Sequence, residues 1–531
     1  MKNIKDLKIR GLKKFEYLNV SFNEHMNILV GENEAGKSTI LEAINIVLNQ
    51  KYHNADKAVL KDLFNIEQVK RFLESPSVDL LPKIIIEVSF NLDPKAANSE
   101  YFYGEVNIDE AEKYGITFKC EFDKELGSLV ENDIDNGVIP YEYYNLSWKT
   151  FGGFPYKMIK RPLEFLTIDT SDSNGNNTFN YFNRNLFNSR YDDQIKLGIK
   201  HDLRTKLNNI FDDLELEELD ENRKFGINDK KFVLESILSI YEEGIPLENK
   251  GKGMESLIKT KIALDKPNSK IELILMEEPE NHLSYTNMLN MISEIDNKQN
   301  ESQIILTTHS DLIASRLNLE NILWIRDNDV ISLKGIDEED DDKKKVSIFF
   351  TKSDNSNILK MILSEKIILV EGPTENLLIP KFYKEMRGKS IEDDKVSIIS
   401  CNGISYKNYL KIAKKTNKKV AVITDNDKKQ RNIDMMENFN EKEKLQHIFM
   451  DSDVTNWTWE ACFYNLNKEF FEKFIKVQKN RKYLFHGDPY DKVLGKMLNN
   501  KVETAYDMLI SSDVDVEIPQ YIKDAILWIN E

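Results

Sequence analysis

The sequence has few cysteines and no long uninterrupted apolar run. Three cysteines occur among its 531 residues, and Cys120, Cys401 and Cys462 lie far apart along the chain. Such spacing supports neither a disulfide framework nor a zinc ribbon. No segment approaches the ~20 consecutive apolar residues that a membrane-spanning helix requires, and the first ten residues do not resemble a signal peptide. We therefore expect a protein of the reducing cytoplasm that is not associated with a membrane.

The chain also lacks an excess of basic residues. It contains 73 Lys and Arg against 90 Asp and Glu, for a net charge of −17. Proteins that bind nucleic acid by bulk electrostatic attraction usually leave a basic footprint. The acidic balance still allows a nucleic-acid enzyme, because carboxylates that hold divalent ions count as negative charge. The local basic stretches 411–419 and 476–482 could line a DNA path, although a solvated helix face is the commoner explanation for such stretches.

Hydrophobic spacing predicts an α/β protein of several domains. At roughly 100–200 residues per domain, the length indicates two to four domains. Residues 171–188 are rich in Asn, Ser and Asp and are predicted to form a loop. A charged helical pattern follows, and the acidic and basic tract 337–345 is typical of a surface loop or hinge. Buried strands are predicted at 26–30, 83–90, 116–122, 272–276, 303–307, 366–370, 396–400 and 420–424.

The first chemical motif lies between a predicted strand and a predicted helix. Residues 31–38 read Gly-Glu-Asn-Glu-Ala-Gly-Lys-Ser and fit the pattern G-x-x-x-x-G-K-[ST],. Backbone N–H groups of such a loop converge on phosphates, with the N-terminus of a helix behind them. Lys37 would pair with the β- and γ-phosphates, and Ser38 would bind Mg²⁺. The residues that this motif assigns to ATP are Gly31, Asn33, Gly36, Lys37, Ser38 and Thr39.

An acidic strand end supplies the second half of the nucleotide site. Residues 274–280 read Ile-Leu-Met-Glu-Glu-Pro-Glu, and open α/β sheets bind ligands at the carboxyl ends of strands. Glu277 would hold Mg²⁺, and Glu278 would orient or deprotonate the attacking water. His309, which follows the next predicted strand, is placed to sense the γ-phosphate. A single histidine is more often structural, but its position after a strand favours the functional interpretation.

The order of these motifs resembles ABC-type ATPases of the SMC/RecF group. That group carries a signature loop before the acidic strand, and residues 249–256 are the only match to it. Gly251 and Gly253 would then contact ATP, but Lys250 stands where a signature serine is expected. ATP binding therefore has firmer support than ATP-driven closure of a dimer.

Four further acids follow two predicted strands in the last third of the chain. Glu371 and Glu375 come after one strand, and Asp425 and Asp427 come after another. Alternate residues of an extended segment point to one side, so we expect both aspartates to face the same ion. Four carboxylates repel one another unless they bind metal or protons. Hard oxygen ligands of this kind suit Mg²⁺ or Mn²⁺, although acids that cap helices after strands are a simpler explanation for any one of them.

These acids resemble the metal site of the Toprim domain, and the whole chain resembles the OLD family of endonucleases. The resemblance implies an ABC-type ATPase domain at residues 1–345, with a helical dimerisation insertion at about 190–245, and a Toprim domain at residues 346–531. It implies that Glu371, Glu375, Asp425 and Asp427 bind the metal. A further acid and a lysine of the family match Glu460 and Lys501, with Asp453 as an alternative ligand.

The resemblance implies a DNA endonuclease or nickase of anti-phage defence that works by two-metal hydrolysis. Lys501 would neutralise charge on the phosphate in the transition state. Expected cofactors and partners are ATP, Mg²⁺ or Mn²⁺, DNA, a second copy of the chain bound through the ATPase domain, and a helicase or reverse transcriptase. Two alternatives stay open, namely a non-cleaving ATP-dependent clamp of the RecF type and a topoisomerase-like or primase-like enzyme. A clamp would not need the acidic cluster, and a topoisomerase would need a further domain.

Overall fold

The computed structural model describes residues 2–53, 55–169, 176–213, 234, 237–265, 271–298, 301–337, 346–352, 357–401, 406–478, 480, 482–511 and 516–531. The chain divides into two compact units. The first comprises Met1–Ile313 and Asn321–Ser332, and the second comprises Ala314–Glu320 and Leu333–Glu531. In the described part of the chain no helix is long and apolar enough to span a membrane.

The first unit contains an antiparallel sheet and a mainly parallel sheet. The antiparallel sheet has the order β2-β1-β4-β6-β5, with β7 also paired to β6, and the second has the order β14-β13-β3-β12-β11-β8. The strands are β1 (Asn3–Leu12), β2 (Phe15–Ser21), β3 (Met26–Val30), β4 (Ile84–Asn91), β5 (Tyr103–Gly104), β6 (Lys113–Phe122), β7 (Tyr144–Thr150), β8 (Phe165–Asp169), β9 (Tyr241–Glu242), β10 (Ile245–Pro246), β11 (Leu273–Glu277), β12 (Gln303–Thr307), β13 (Ile322–Arg326) and β14 (Asp329–Ser332).

The central strands of the second sheet are apolar on both faces. All five residues of β3 and of β12 are buried, as expected for parallel strands covered on both sides. The helices of this unit are α1 (Lys37–Asn49), α2 (Leu60–Leu63), α3 (Ile66–Glu74), α4 (Ser99–Phe102), α5 (Glu131–Asp135), α6 (Asn176–Arg190), α7 (Asp193–Asp213), α8 (Lys252–Leu264) and α9 (Tyr285–Lys298), and α10 (Asp311–Arg316) crosses into the second unit.

The predicted loop over residues 171–188 is wrong where the structure describes it. Residues 176–190 form α6, which packs against β8. Phe182 and Leu186 are both buried, and their spacing of four residues places them on one helix face. The sequence predicted a loop because most of the other residues of this helix are Asn, Ser or Arg, so the two buried residues showed no helical period.

The second unit contains a four-stranded parallel sheet with the order β16-β15-β17-β18. Its strands are β15 (Lys366–Val370), β16 (Val396–Ser400), β17 (Lys419–Ile423) and β18 (Gln446–Phe449), with a small hairpin of β19 (Leu484–Phe485) and β20 (Asp488–Pro489). The helices are α11 (Val346–Lys352), α12 (Ile358–Leu363), α13 (Pro373–Arg387), α14 (Tyr406–Lys415), α15 (Gln430–Lys442), α16 (Trp459–Leu466), α17 (Lys468–Phe474), α18 (Lys492–Asn499), α19 (Lys501–Ile510) and α20 (Gln520–Trp528). The predicted parallel sheet is confirmed.

Two predicted features fall partly on residues outside those described. The tract 338–345 is not described, and the domain boundary at residue 345 stays a prediction. Of the insertion expected at about 190–245, residues 214–233 and 235–236 lie outside the described residues. The described part begins with α7, as the helical pattern predicts. Its role in dimerisation stays a prediction.

Candidate functional site

The phosphate-binding loop connects β3 to α1. Gly36 is the N-terminal cap of α1 and has a φ of 96°, a conformation that favours glycine. A Cβ at Gly36 would collide with the ring of Phe15, and one at Gly31 would crowd Ala35 and the carbonyl of Ile325. Both glycines are therefore required by the local packing. The loop leaves Asn33 and Ser38 exposed, whereas Thr39 is buried.

Lys37 lies inside this loop. Its Nζ donates hydrogen bonds of 3.0 Å to the carbonyl oxygens of Gly31 and Glu32, and the side chain is buried. Burial lowers the pKa of Lys37, and the nearby carboxylates of Glu278 and Glu280 offset this only in part. The ammonium is thus desolvated without a full counter-charge, and a phosphate group would supply one.

Glu277 ends β11 beside the phosphate-binding loop. Ser38 donates a hydrogen bond to the Glu277 carboxylate, and this bond by itself lowers the pKa of Glu277. Burial and repulsion from Asp169 and Glu278 raise the pKa of Glu277. The predicted magnesium pair, Ser38 and Glu277, is therefore in direct contact, and its oxygen atoms suit a hard divalent cation.

The acids after Glu277 are held by hydrogen bonds. The Glu278 carboxylate accepts from Asn281 Nδ2 at 2.9 Å and lies 3.4 Å from His309 Nε2. Glu280, to which the sequence analysis gave no role, accepts from Thr308 Oγ1 at 2.7 Å and from the His309 backbone N–H at 2.8 Å. The structure thus brings Glu278 and His309 together, and Glu280 positions the backbone of His309.

In the loop matched to the ABC signature, local contacts account for Gly253 and Lys250 without ATP. Gly251 caps α8 with an ordinary φ of −60°. A Cβ at Gly253 would collide with the carbonyl of His282, so close backbone packing alone requires this glycine. Lys250 forms an ion pair with Glu242. No interaction described within the unit shows that these residues bind ATP, and their assignment to ATP stays a prediction.

The second site lies where β15 and β17 end. These neighbouring parallel strands pair in a register that sets Val370 opposite Ile423, so the residues that follow them meet at one sheet edge. Glu371 Oε1 accepts a hydrogen bond from the Thr424 hydroxyl and another, of 3.1 Å, from the Asp425 backbone N–H. The two acidic motifs predicted from sequence are therefore physically connected.

Glu375 lies in the first turn of α13. Its Oε2 accepts a hydrogen bond of 3.1 Å from the Gly372 N–H, as in a capping box. The side chain is 7% exposed. Burial, together with repulsion from Glu460 and Glu371, raises the pKa of Glu375 to about 7. A carboxyl group with this pKa can hold or release a proton near neutral pH.

Asp425 lies at the centre of the acidic cluster. Its Oδ1 accepts a hydrogen bond of 3.0 Å from the Trp459 N–H at the start of α16. Burial raises the pKa of Asp425 well above its ordinary value, and repulsion from Glu371, Glu375 and Glu460 adds to this effect. Four acids therefore act on one another electrostatically at this edge of the sheet.

The two residues with the loosest sequence matches form an ion pair in this cluster. Lys501 Nζ lies 2.9 Å from Glu460 Oε2, and Glu460 also accepts from the hydroxyl of Thr458, the cap of α16. Glu460 is buried, whereas the Lys501 side chain is 39% exposed. Its attraction to Glu460, and also to Asp425 and Glu375, outweighs burial and raises the pKa of Lys501. One cation thus serves a cluster of several acids.

The extended conformation expected for residues 425–427 is wrong, whereas the assignment of Asp427 to the metal stays a prediction. Strand β17 ends at Ile423, and Asp427 has a φ of 56°. Its carboxylate is 58% exposed and lies 3.7 Å from Lys429 Nζ. Asp453, the alternative ligand, accepts hydrogen bonds from Thr455 instead. Asp427 nevertheless lines the same groove as Glu371 and Asp425.

Sequence analysis gave no role to Asn426, the middle residue of Asp-Asn-Asp. Its buried Nδ2 lies 3.0 Å from the carbonyl oxygen of Asp451, 2.9 Å from that of Asp453 and 3.3 Å from that of Asn456. These hydrogen bonds join the loop after β17 to the segment that leads into α16. An amide N–H donor at residue 426 can serve these carbonyl oxygens. No spacing in the sequence indicated these partners.

The oxygen atoms of the acidic cluster suit a divalent cation, although the described side chains do not converge on one point as metal ligands would. In the described residues no three His, Cys, Asp or Glu side chains stand close enough together to form a metal site. The carboxylates instead accept hydrogen bonds from Thr424, Gly372 and Trp459. The raised pKa values of Glu375 and Asp425 reflect burial and a deficit of positive charge, which a divalent cation would remove,.

Comparisons with known families match both parts of the chain. A model described as overcoming lysogenization defect protein-like, TOPRIM domain, matches residues 362–427. A model for an AAA ATPase domain matches residues 1–151, and a second AAA domain model matches residues 157–315. The chain joins an AAA ATPase module to an OLD-like Toprim domain. The Toprim match contains the acids from Glu371 to Asp427, whereas Glu460 and Lys501 lie beyond it.

Individual relatives extend this finding along the chain. Endonuclease GajA from Bacillus cereus (strain HuB5-5) is 23% identical, over 99% of this chain and 98% of its own. Old nuclease from Escherichia phage P2 is 31% identical, over 25% of this chain and 23% of its own. The SMC head domain from Thermotoga maritima is 14% identical, with a TM-score of 0.30, over 61% of this chain and 94% of its own.

The chain is thus homologous to Endonuclease GajA over nearly its full length. The family matches and the two mainly parallel sheets confirm the expected α/β architecture, an ATPase module followed by a Toprim domain, whereas the ABC type of the ATPase stays a prediction. Together, the domains and the homologues support a nuclease with an ATPase module.

Proposed function

We propose that this chain is an ATP-dependent, divalent-metal-dependent DNA endonuclease or nickase of anti-phage defence. The observation that carries the proposal is the cluster of Glu371, Glu375, Asp425 and Glu460, in which the last three acids attract the cation Lys501. A protein that only clamps DNA has no use for this cluster, because burying mutually repelling carboxylates destabilises a fold. The names of the two nuclease homologues support the same activity.

The acids of the cluster would hold Mg²⁺ or Mn²⁺. Glu371, Asp425, Glu375 and Glu460 are the proposed ligands, with Asp427 on the exposed side of the groove. When bound, two divalent ions would lower the pKa of an attacking water and stabilise the leaving 3′-oxygen. Lys501 would neutralise charge on the scissile phosphate. Glu375, whose pKa without metal is raised to about 7, would release its proton when the cation binds.

ATP would occupy the site between the loop after β3 and the end of β11. Lys37 would exchange its carbonyl partners Gly31 and Glu32 for phosphate oxygens, while Ser38 and Glu277 would hold the accompanying Mg²⁺. Glu278 would orient the attacking water, and His309 would contact the γ-phosphate. Gly251 and Gly253 would reach the nucleotide of a second copy.

The proposed partners follow from the ATPase module and the nuclease homologues. We propose a homodimer or larger homo-oligomer formed through the ATPase domain, with DNA as substrate. A helicase or a reverse transcriptase is the proposed partner in defence. The three cysteines are buried and form no disulfide among the described residues, which fits the proposed cytoplasmic location.

The test is cleavage of supercoiled and linear DNA by the purified chain, with Mg²⁺ or Mn²⁺ and with or without ATP. We expect nicked or linear products that require the metal and depend on ATP. Asp425→Asn should abolish cleavage because it removes a carboxylate oxygen from the centre of the cluster while keeping its shape.

The matched control is Asp434→Asn, which changes an exposed aspartate on α15 of the same unit. It should cleave like the wild type. Cleavage by Asp425→Asn at the wild-type rate would show that this cluster is not the active site. Relaxed but uncut plasmid would indicate a topoisomerase-like reaction instead.

A further inference from the structure

A groove of about 550 Å³ opens beside the acidic cluster in the second unit. It lies between α14 and α15, which pack against β17 and β18 respectively. Glu371 and Asp425 line it together with Ile448 and Met450. Its volume is in the range of sites that bind small organic groups. The groove therefore joins the candidate cleavage site to a space large enough for a nucleotide.

One wall of this groove is basic. Lys407, Lys411 and Lys414 of α14 all line it, and their spacings of four and three residues place them on one helix face. Lys414 Nζ lies 3.5 Å from Glu443, which also lines the groove. The three ammonium groups form a row along one wall. This arrangement complements the phosphates of a polynucleotide strand.

The opposite wall is apolar. Met435, Met436 and Phe439 of α15 line it, facing the space that the lysines border. Met435 is 44% exposed and borders the groove. Methionine side chains are flexible and adapt to planar partners, and an aromatic ring offers a face on which any base can stack.

We propose that this groove holds an unpaired nucleotide of the DNA strand next to the bond that is cleaved. Its phosphates contact Lys407 and Lys411, and its base lies against Met436 and Phe439. Because the faces of a base in a duplex are covered by its stacked neighbours, a base that packs its face against Phe439 must leave the duplex or belong to a single-stranded segment. The inference rests on the proposed nuclease function and adds the form of DNA that the site prefers.

The first experiment measures the affinity of the full-length chain for fluorescent 12-nucleotide thymidine strands, with Ca²⁺ in place of Mg²⁺. The variant is K407Q/K411Q, and K384Q/K389Q is the control, since it removes the same charge from exposed lysines of the same unit. Each phosphate of a single strand that a lysine no longer neutralises lowers the salt slope by about 0.7. We expect a slope lower by about 1.4 and a Kd raised roughly 25-fold at 0.1 M salt for the variant.

The second experiment tests the apolar wall with an abasic 12-nucleotide strand of the same charge. The wild type should bind the thymidine strand about fivefold or more tightly than the abasic strand, because stacking stabilises each base by about 1–3 kcal/mol. F439L keeps apolar volume but removes the ring, and it should lose most of this preference. Restoration of the preference by F439W would exclude misfolding as the cause.

Two results would overturn the inference. One is a Kd for K407Q/K411Q that equals that of K384Q/K389Q, and the other is an abasic strand that binds as tightly as the thymidine strand. The proposed function fails separately, if the wild type leaves plasmid DNA intact in Mg²⁺ and in Mn²⁺ while these binding differences persist. Preference for duplex over single strands would indicate that the groove follows paired DNA and would also count against the inference.

Discussion

The two units each contain a partly buried lysine beside a group of acids, and the pKa of these two lysines shifts in opposite directions. Burial lowers the pKa of Lys37, because its nearest partners are the carbonyl oxygens of Gly31 and Glu32. The pKa of Lys501 is raised, because Glu460 lies 2.9 Å away in a cluster of acids. At the ATPase site the nearby carboxylates compensate the buried lysine only in part, whereas the Toprim site lacks positive charge around its carboxylates.

This difference indicates what each site is built to receive. A desolvated ammonium that hydrogen-bonds to carbonyl oxygens, with its charge only partly compensated, attracts an anion such as the phosphates of ATP,. Carboxylates with raised pKa values attract protons when no metal is present and divalent cations when it is. The same physical principle, incomplete charge compensation under burial, therefore produces an anion site in one unit and a cation site in the other.

The largest expected effect concerns Lys501. Replacing it with Met leaves the buried Glu460 without its counter-charge, which should cost about 3 kcal/mol of unfolding free energy, the lower end of the range because Lys501 is partly exposed. Cleavage should fall by about 10²–10³-fold, because the charge facing the phosphate is removed. Urea unfolding and plasmid cleavage measure the two quantities.

The double variant Glu460→Gln/Lys501→Met separates these effects. It removes both charges, so stability should return towards that of the wild type while cleavage stays low. A double variant as unstable as Lys501→Met would show that the ion pair is not the source of the loss.

The next effect is the dependence of stability on pH through Glu375. Its folded pKa is about 7 against an ordinary value of 4.5, so the folded state keeps a proton that the unfolded chain releases. The contribution of Glu375 to metal-free stability should therefore be fully present below pH 4.5 and should be lost as the pH rises to about 7, by roughly 3 kcal/mol. The measurement is the difference in unfolding free energy between wild type and Glu375→Gln in EDTA.

Glu375→Gln can still accept the hydrogen bond from Gly372, so the cap of α13 is retained as an internal control. Added Mg²⁺ should reduce the loss of wild-type stability at high pH, since the cation compensates the carboxylates. A difference between the two proteins that did not change between pH 4.5 and 7.5 would contradict the predicted titration.

In the ATPase unit, Lys37→Met should separate binding from stability. Nucleotide affinity should fall by about 10–150-fold, which corresponds to the loss of hydrogen bonds from a charged donor. Stability without nucleotide should change by less than about 1 kcal/mol, because the variant also removes a desolvated charge. Titration calorimetry and urea unfolding test this, with Lys95→Met as the exposed-lysine control. A stability loss like that expected for Lys501→Met would erase the contrast between the two lysines.

The smallest expected effect is that of Lys250→Ser, which restores the serine expected in an ABC signature. The variant loses a partly exposed ion pair with Glu242, worth about 0–1 kcal/mol. Neither ATP hydrolysis nor cleavage should change by more than about fivefold. A gain in hydrolysis well above that limit would show that Lys250 restrains a signature interaction in the dimer.

Several strands and both acidic motifs could be predicted because their signals are local. The strand predictions at 26–30, 303–307, 366–370 and 396–400 match the observed bounds, since each is a short apolar run bounded by polar residues. Helix α6 was missed because its buried residues Phe182 and Leu186 lie in a stretch composed mostly of Asn, Ser and Arg. The orientation of Asp427 was missed because its positive φ depends on the loop after β17, not on strand alternation.

The sequence by itself determined the order of the modules, the phosphate-binding loop and the acids at the strand ends, because each depends on residue types at fixed spacing. Only the tertiary structure decided which charges compensate one another. The ion pair between Lys501 and Glu460 joins residues 41 positions apart. The hydrogen bond from Asn426 to Asp451 joins residues 25 positions apart, and distant acids also act on the buried Asp425. Such interactions depend on how strands and helices pack, and electrostatic compensation follows distance in space, not distance along the chain.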